Sequence, residues 1–203
     1  MTNQAMFSDP RKSNREESFR QIEQALIGKM RQRSEQATEH WELTAIVGVA
    51  DEEILTLLHK LGFTRETIGI LHLVPLIQVA WASGFVTARE REMVLMLSEQ
   101  RGIQNGSLAW KQLIHWMDEQ PSDDFFQTSL RIIRHILNTL TKTDQNLICA
   151  SLLGFCIRLA QTSGGFLGLG SNISEGERAA LDQIADELMR RNPEAVHRYL
   201  SEK

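Results

Sequence analysis

The chain of 203 residues has few of the residues that mark several classes of protein. Two cysteines are too few for the disulfide framework of a small secreted domain. Lysine and arginine number 22 against 26 acidic residues, which gives a formal charge of −4, and the basic residues form no block. A dedicated nucleic-acid-binding protein would carry clustered Lys and Arg. We therefore expect no nucleic-acid partner.

Long apolar runs are also missing. The two most apolar segments, 68–82 and 147–160, are both shorter than the ~20 residues that span a bilayer. Residues 1–12 contain no apolar stretch that could form the core of a signal peptide. Cys149 and Cys156 are seven residues apart on one expected helix, too far to form a disulfide. These features predict a cytoplasmic protein with reduced, buried thiols and no membrane span.

What the chain does have is a spacing of apolar residues by three and four, interrupted by only four prolines. This spacing is typical of amphipathic helices, and it predicts an all-α bundle of about eight helices joined by short loops. Five aromatic residues are expected in its core rather than on a base-stacking surface: Trp81, Trp110, Trp116, Phe125 and Phe126. Helix start signals are Asp51, Thr64, Ser107, Ser122 and Thr143, and stop signals are Gly62 and Gly102. The helix from Thr64 to about Ala82 should bend or break at Pro75.

The N-terminal region is predicted to lie outside this bundle. Residues 1–12 are expected to form a disordered tail, and residues 13–42 an amphipathic helix with seven basic and seven acidic residues across 1–42. Its apolar stripe consists of Phe19, Ile22, Leu26 and Met30. Because such a stripe must be buried somewhere, we expect a protein partner or a homodimer formed through this helix.

The domain predicted over 43–203 contains an internal repeat. Thr87-x-x-Glu90 and Ser174-x-x-Glu177 are both capping boxes, and each follows a Ser-Gly turn and one apolar residue, Val86 or Ile173. The preceding helices align at an offset of 80 residues and the boxes at 87, so the second copy carries seven extra residues. The copies cover about 64–102 and 143–190. Chance similarity between two capping boxes is the alternative interpretation.

The turn from Ala80 to Val86, followed by Glu90, resembles that of the tellurite-resistance TerB-like helical domains. The second copy resembles it as well, with an insertion in its loop. The resemblance implies an all-α bundle with a pseudo-twofold repeat and a divalent-metal site built from turn carboxylates. Its candidate residues here are Ser83, Glu90, Ser163, Glu175 and Glu177. Serine replaces the family's turn aspartate in both copies. Each turn therefore offers few of the carboxylate oxygens that a hard divalent cation needs as ligands.

The insertion is a glycine-rich loop with the spacing of a phosphate-binding loop. Ser171-Asn172 stands where such a loop needs a lysine followed by Ser or Thr, so nucleotide binding is not favoured. The apolar residues of the loop are expected either to pack into the bundle or to form a patch that meets a partner. The candidate interaction residues are Gly164, Gly165, Phe166, Leu167, Gly168, Leu169 and Gly170.

Catalytic signatures are not found in the sequence. It has no G-x-S-x-G elbow and no H-x-x-x-H pair, and both cysteines lie on apolar surfaces. Capping is expected to use the hydrogen-bonding capacity of Glu90 and Glu177. His72 is interpreted as a hydrogen-bonded core histidine, with a buried pH switch as the alternative. His115 shares a helix face with Asp118 and Glu119, which favours a surface hydrogen bond over a two-ligand metal site.

We therefore expect a non-catalytic protein without cofactor that acts through protein–protein contacts, in a stress-response setting that the resemblance alone implies. The alternative is a protein that binds or senses a divalent metal or a small anion at the turns 83–90 and 163–177.

Overall fold

A computed structural model describes residues 52–163 and 173–189. Those two ranges contain seven α-helices and one 3₁₀ helix and no strand, which confirms the prediction of an all-α helical bundle. None of the helices in these ranges is both long and apolar enough to cross a membrane. The predictions for the tail 1–12, the helix 13–42, the cap Asp51 and the glycine-rich loop fall outside the described residues.

The helices follow one another with short connections. In chain order they are α1 (Glu52–Lys60), the 3₁₀ helix (Ile68–Leu73), α2 (Val74–Trp81), α3 (Ala88–Gln100), α4 (Leu108–Asp118), α5 (Asp123–Asn138), α6 (Lys142–Ser163) and α7 (Glu175–Met189).

Helix α2 forms the centre of the bundle. Its sequence is apolar on nearly every side, and six of its eight residues are buried. A helix without a polar face has to be surrounded by other elements. Helices α3, α4, α5, α6 and α7 and the 3₁₀ helix all pack against it. The apolar residue of each turn, Val86 or Ile173, is partly buried and packs against the same core.

The two helix–turn–helix units of the proposed repeat pack reciprocally. Helices α2 and α6, which begin the units, lie against each other; α2 also packs against α7, and α6 against α3. Each unit therefore contributes its first helix to the surroundings of the other unit's second helix. This arrangement brings the two capped turns into the same region of the molecule.

Aromatic side chains fill one end of the core, as expected. The ring of Trp116 lies 5.0 Å from that of Phe125 and 5.6 Å from that of Phe63, centroid to centroid. Phe126 is buried and packs edge-on against Phe125. Edge-to-face and tilted contacts of this kind stabilise aromatic pairs beyond the apolar area that they bury.

Most predicted helix ends are confirmed. The hydroxyl of Ser107 accepts a hydrogen bond from the amide of Trp110, and that of Ser122 from the amide of Phe125. Gly62 and Gly102 follow helix ends with φ of 79° and 81°. Only glycine adopts this left-handed conformation without steric strain.

The break predicted at Pro75 is confirmed, but the α-helix predicted to begin at Thr64 is wrong for the residues before it. Residues 64–67 form a turn, a 3₁₀ helix follows, and α2 begins at Val74 with Pro75 in its first turn. Proline has no amide hydrogen to donate, and its ring clashes with the turn before it. The first turn of a new helix tolerates both properties, so Pro75 marks the start of α2.

The predicted start of α6 at Thr143 is also wrong. The helix begins at Lys142, and Thr141 caps it by accepting a hydrogen bond of 3.2 Å from the amide of Asp144. The Thr141 hydroxyl also lies 2.8 Å from the Asp144 carboxylate. This is a capping arrangement with aspartate in the place of the usual glutamate, so a search for Ser/Thr-x-x-Glu does not find it.

Candidate functional site at the two capped turns

The first turn is closed by the capping box of α3. The amide and the hydroxyl of Thr87 both donate to Oε2 of Glu90, at 2.7 Å each. The amide of Glu90 in turn donates to the Thr87 hydroxyl at 3.2 Å. These bonds satisfy amides at the start of the helix that no helical carbonyl can reach.

The second turn repeats this chemistry at the start of α7. The amide of Ser174 donates to Oε2 of Glu177 at 2.7 Å, and the amide of Glu177 donates to the Ser174 hydroxyl at 3.2 Å. The two glutamates thus hold equivalent positions in the two units, with the same oxygen committed to its own cap.

Both glutamates are buried, which a capping box on a surface helix does not require. Glu90 has 0% and Glu177 1% of its surface exposed. Burial raises the pKa of Glu90 above its usual range, and the charge of Glu177 acts in the same direction, whereas the bonds from Thr87 act against the shift. Two carboxyl groups are therefore close enough to influence each other inside the protein.

The capping box uses only one of the two carboxyl oxygens of Glu90. Oε1 of Glu90 is buried and has no hydrogen-bond partner in the described part of the chain. The expectation that capping would use the full capacity of this carboxyl group is therefore wrong, because capping engages Oε2 alone. A buried polar atom without a partner loses its hydration without compensation.

A close backbone contact joins the two turns. A Cβ atom added to Gly176 would lie 2.3 Å from the carbonyl oxygen of Ala82, so only glycine fits there. Ala82 follows the end of α2, and Gly176 precedes Glu177 in α7. The signal in the sequence is a glycine inside a helix start, where helix-forming residues are preferred. Sequence reasoning did not assign this role to Gly176.

The predicted metal-site residues are only partly brought together. Glu90 and Glu177 lie in the buried region, whereas Ser83 and Glu175 are exposed, and the Ser83 hydroxyl donates to the Phe85 carbonyl at 3.1 Å. The side chain of Ser163 lies outside the described residues. In 52–163 and 173–189, no group of three His, Cys, Asp or Glu residues could hold a metal ion. The described donors do not fit a divalent cation, and a metal or anion site at these turns stays a prediction.

The first turn presents an aromatic side chain to solvent. Phe85 is 61% exposed, although it lies between the Ser83 bond and the Thr87 cap. Neighbouring groups fix this end of the bundle: Nε1 of Trp81 donates to the Trp116 carbonyl at 2.8 Å, and Arg91 donates to the Met117 carbonyl at 3.2 Å. Both donors bind the last turn of α4, whose carbonyls have no helical partner.

A second buried polar atom, on the side chain of His72, belongs to the 3₁₀ helix. Nε2 of His72 is buried and has no hydrogen-bond partner among the described residues, so the prediction of a fully hydrogen-bonded core histidine is wrong at this atom. Burial lowers the pKa of His72 to about 3, and the positive charge of Arg101 acts in the same direction. The guanidinium groups of Arg101 and Arg158 lie 4.7 and 4.4 Å from the ring centroid of Phe155.

The cysteines and His115 have no arrangement that supports catalysis. Cys149 and Cys156 are free and buried, and burial raises their pKa to about 11 and about 12. A thiol that resists ionisation is a poor nucleophile. His115 and Glu119 are both exposed, with Nδ1 and Oε1 3.9 Å apart.

No family model, curated protein or solved structure matches this chain. The resemblance to TerB-like domains therefore remains a prediction made from the turn residues.

Proposed function

We propose that this chain is a non-catalytic helical protein that acts through protein–protein contacts. The observation that supports the proposal is the Phe85 side chain, 61% exposed on a turn that hydrogen bonds hold on both sides. A side chain on a turn whose backbone is already fixed by hydrogen bonds loses less conformational freedom on binding, and aromatic residues are frequent anchors of interfaces.

The proposal can be tested by site-specific photo-crosslinking in the cells that produce the protein. A photoreactive phenylalanine analogue at position 85 should give a discrete cross-linked species, because the partner would cover the ring. Leu108 is the matched control, since it is an apolar residue of similar exposure, 58%, at the start of α4. The same pattern of products from both positions, or none from position 85, would contradict the proposal.

Self-association through the N-terminal helix is a second part of this proposal. It is supported by the apolar stripe that the sequence predicts for the helix 13–42. Sedimentation of the full chain should show a dimer that Leu26→Lys dissociates and that Gln24→Lys, on the opposite side of the predicted helix, leaves intact. A monomeric wild-type chain would rule out this mode of contact.

A further inference from the structure

We propose that Asn105 is a modification site, at which the folded protein deamidates spontaneously to aspartate and isoaspartate. The site lies in the connection between α3 and α4, and it is independent of the proposed partner binding. Asn105-Gly106 is the single Asn-Gly pair of the chain. The two residues form an exposed turn directly before Ser107, the residue that caps α4.

The nucleophile of the reaction is the main-chain amide of Gly106. Within 52–163 and 173–189 this amide donates no hydrogen bond. The bond that closes the turn runs instead from the Ser107 amide to the Gln104 carbonyl, at 3.1 Å. An amide engaged in a hydrogen bond has to break that bond before its nitrogen can attack. The nitrogen of Gly106 has no such bond to break.

Glycine at position 106 also leaves the nitrogen open to approach. Its φ is 80°, a conformation that favours glycine, and a Cβ atom added there would meet no atom of another segment within 4 Å. No side chain of residue 106 therefore blocks the carbonyl carbon of the Asn105 side chain. Because a single hydrogen bond closes this exposed turn, the rotation of Asn105 that the attack requires meets little resistance.

The reaction is an intramolecular acyl transfer. Hydroxide removes the proton of the Gly106 amide, and the nitrogen forms a bond to Cγ of Asn105. The bond from Cγ to the side-chain nitrogen breaks, and that nitrogen takes a proton from water and leaves as ammonia, which regenerates the hydroxide. Water then opens the resulting imide ring at either carbonyl and gives aspartate or isoaspartate. The reacting groups belong to adjacent residues, so the step needs no second protein.

The products change the turn before α4 in charge and in shape. Both carry a negative charge close to the positive end of the helix dipole. In isoaspartate the main chain also runs through Cβ and Cγ, so it is one atom longer between Gln104 and Ser107. The hydrogen bond between these two residues should therefore be lost in the isoaspartyl form.

Asn138 is the matched internal control, since it is exposed like Asn105. The amide that would attack it, that of Thr139, donates to the Ile136 carbonyl at 3.1 Å. Its own Oδ1 accepts a hydrogen bond of 3.1 Å from Nε2 of Gln145. Thr139 is also branched at Cβ, which crowds the nitrogen. Both the attacking nitrogen and the side-chain amide are therefore held in place at this position.

Mass spectrometry of the full chain, aged in heavy-oxygen water at pH 8, tests the proposal. Trypsin, used in ordinary water, places Asn105 in the peptide 102–111 and Asn138 in the peptide 135–142. Residue 105 should gain a heavy oxygen at least about ten times faster than residue 138, because the Thr139 amide has to break its hydrogen bond first. Equal rates at the two residues would overturn the proposal.

Asn105→Gln should abolish the fast gain, because the longer side chain closes a ring much more slowly. Circular dichroism establishes that the variant is folded. A heavy oxygen gained in the peptide 102–111 of this variant as fast as in the wild type would contradict the assignment to Asn105.

A second measurement on the wild type shows which state of the protein reacts. Guanidinium chloride below the unfolding transition raises the population of unfolded chains while almost all molecules stay folded. The rate at residue 105 should remain constant over this range, because the reaction takes place in the native turn. A rate that rises in proportion to the unfolded population would show that only the unfolded chain reacts, and it would overturn the proposal.

Discussion

At the scale of single residues, the most constrained positions are those where the two turns meet. Glu90, Glu177 and Gly176 are each acceptable at a helix start, but their combination is unusual because both carboxyl groups are buried and the glycine admits no side chain. The local sequence identifies the two caps. It does not show that they face one another, since this follows from the packing of helices distant in the chain.

Gly176→Ala tests the backbone contact directly. The new Cβ would lie 2.3 Å from the Ala82 carbonyl oxygen, a rigid backbone atom, so α7 has to shift. We expect the free energy of unfolding to fall by about 1–3 kcal/mol, the usual cost of overpacking. Urea denaturation at pH 7 measures it.

Gly69→Ala is the matched control for this substitution. Its Cβ would meet Ile103 at 3.8 Å, an ordinary van der Waals distance. The stability should therefore change by less than about 1 kcal/mol. Equal effects of the two substitutions would show that the loss at Gly176 does not come from the Ala82 contact.

His72 should make the protein less stable as the pH falls. The pKa of this residue is about 3 in the folded protein, against an ordinary value of 6.5. Below the ordinary value the unfolded chain takes up a proton that the folded protein refuses, so unfolding becomes more favourable. The contribution of His72 is complete above about pH 6.5 and declines towards pH 3, by up to about 1.4 kcal/mol per pH unit.

The variant His72→Asn isolates this contribution. Asparagine keeps a side-chain amide donor near the position of Nδ1 but does not titrate. The free energy of unfolding of the variant, measured by urea denaturation from pH 4 to pH 7, should depend less steeply on pH than that of the wild type. Identical slopes would contradict the assignment to His72.

At the scale of elements, the start of α6 shows why the sequence predicts that a helix begins near a residue but not which residue caps it. Thr141 and Thr143 are both exposed threonines close to the start of an apolar helix. Only the Thr141 hydroxyl accepts a hydrogen bond from a helical amide, that of Asp144. The sequence does not distinguish the two residues unless aspartate is accepted in place of glutamate as the fourth residue of a capping box.

Threonine-to-alanine substitutions at the two positions should differ in their effect on the free energy of unfolding. Thr141→Ala should lower the free energy of unfolding by about 1 kcal/mol, the usual loss on removing an N-cap. Thr143→Ala should change it by less than about 0.5 kcal/mol. Thermal unfolding of both variants at the same pH provides the measurement, and a larger loss at Thr143 would place the cap where the sequence predicted it.

Helices, caps and core residues could be predicted because they depend on neighbours within one or two turns. The boxes at Thr87 and Ser174 and the stops at Gly62 and Gly102 are of this kind. The break at Pro75 was expected, but not the turn and the 3₁₀ helix before it, since these depend on packing against α4 and α5. Within 52–163 and 173–189, Oε1 of Glu90 and Nε2 of His72 have no hydrogen-bond partner. These two features could not be predicted, because they result from burial by segments distant in the chain.

At the scale of the whole molecule, the reciprocal packing predicts that the two units unfold together. Every tryptophan of the chain lies at or before position 116, so tryptophan fluorescence reports only on the first part. Ile184 lies in α7 of the second unit and is fully buried. Because α7 packs against α2, a cavity made there should destabilise the region that contains the tryptophans.

Ile184→Ala should lower the free energy of unfolding by about 2–5 kcal/mol. The midpoint of urea denaturation should shift equally whether it is followed by tryptophan fluorescence or by far-ultraviolet circular dichroism, because one cooperative transition gives coincident curves. Asp182→Ala, an exposed change on the same helix, should shift neither midpoint by more than about 0.5 kcal/mol. If the circular dichroism curve moved while the fluorescence curve stayed in place, the two units would be separate folding domains. The packing of α7 against α2 would then not couple their unfolding.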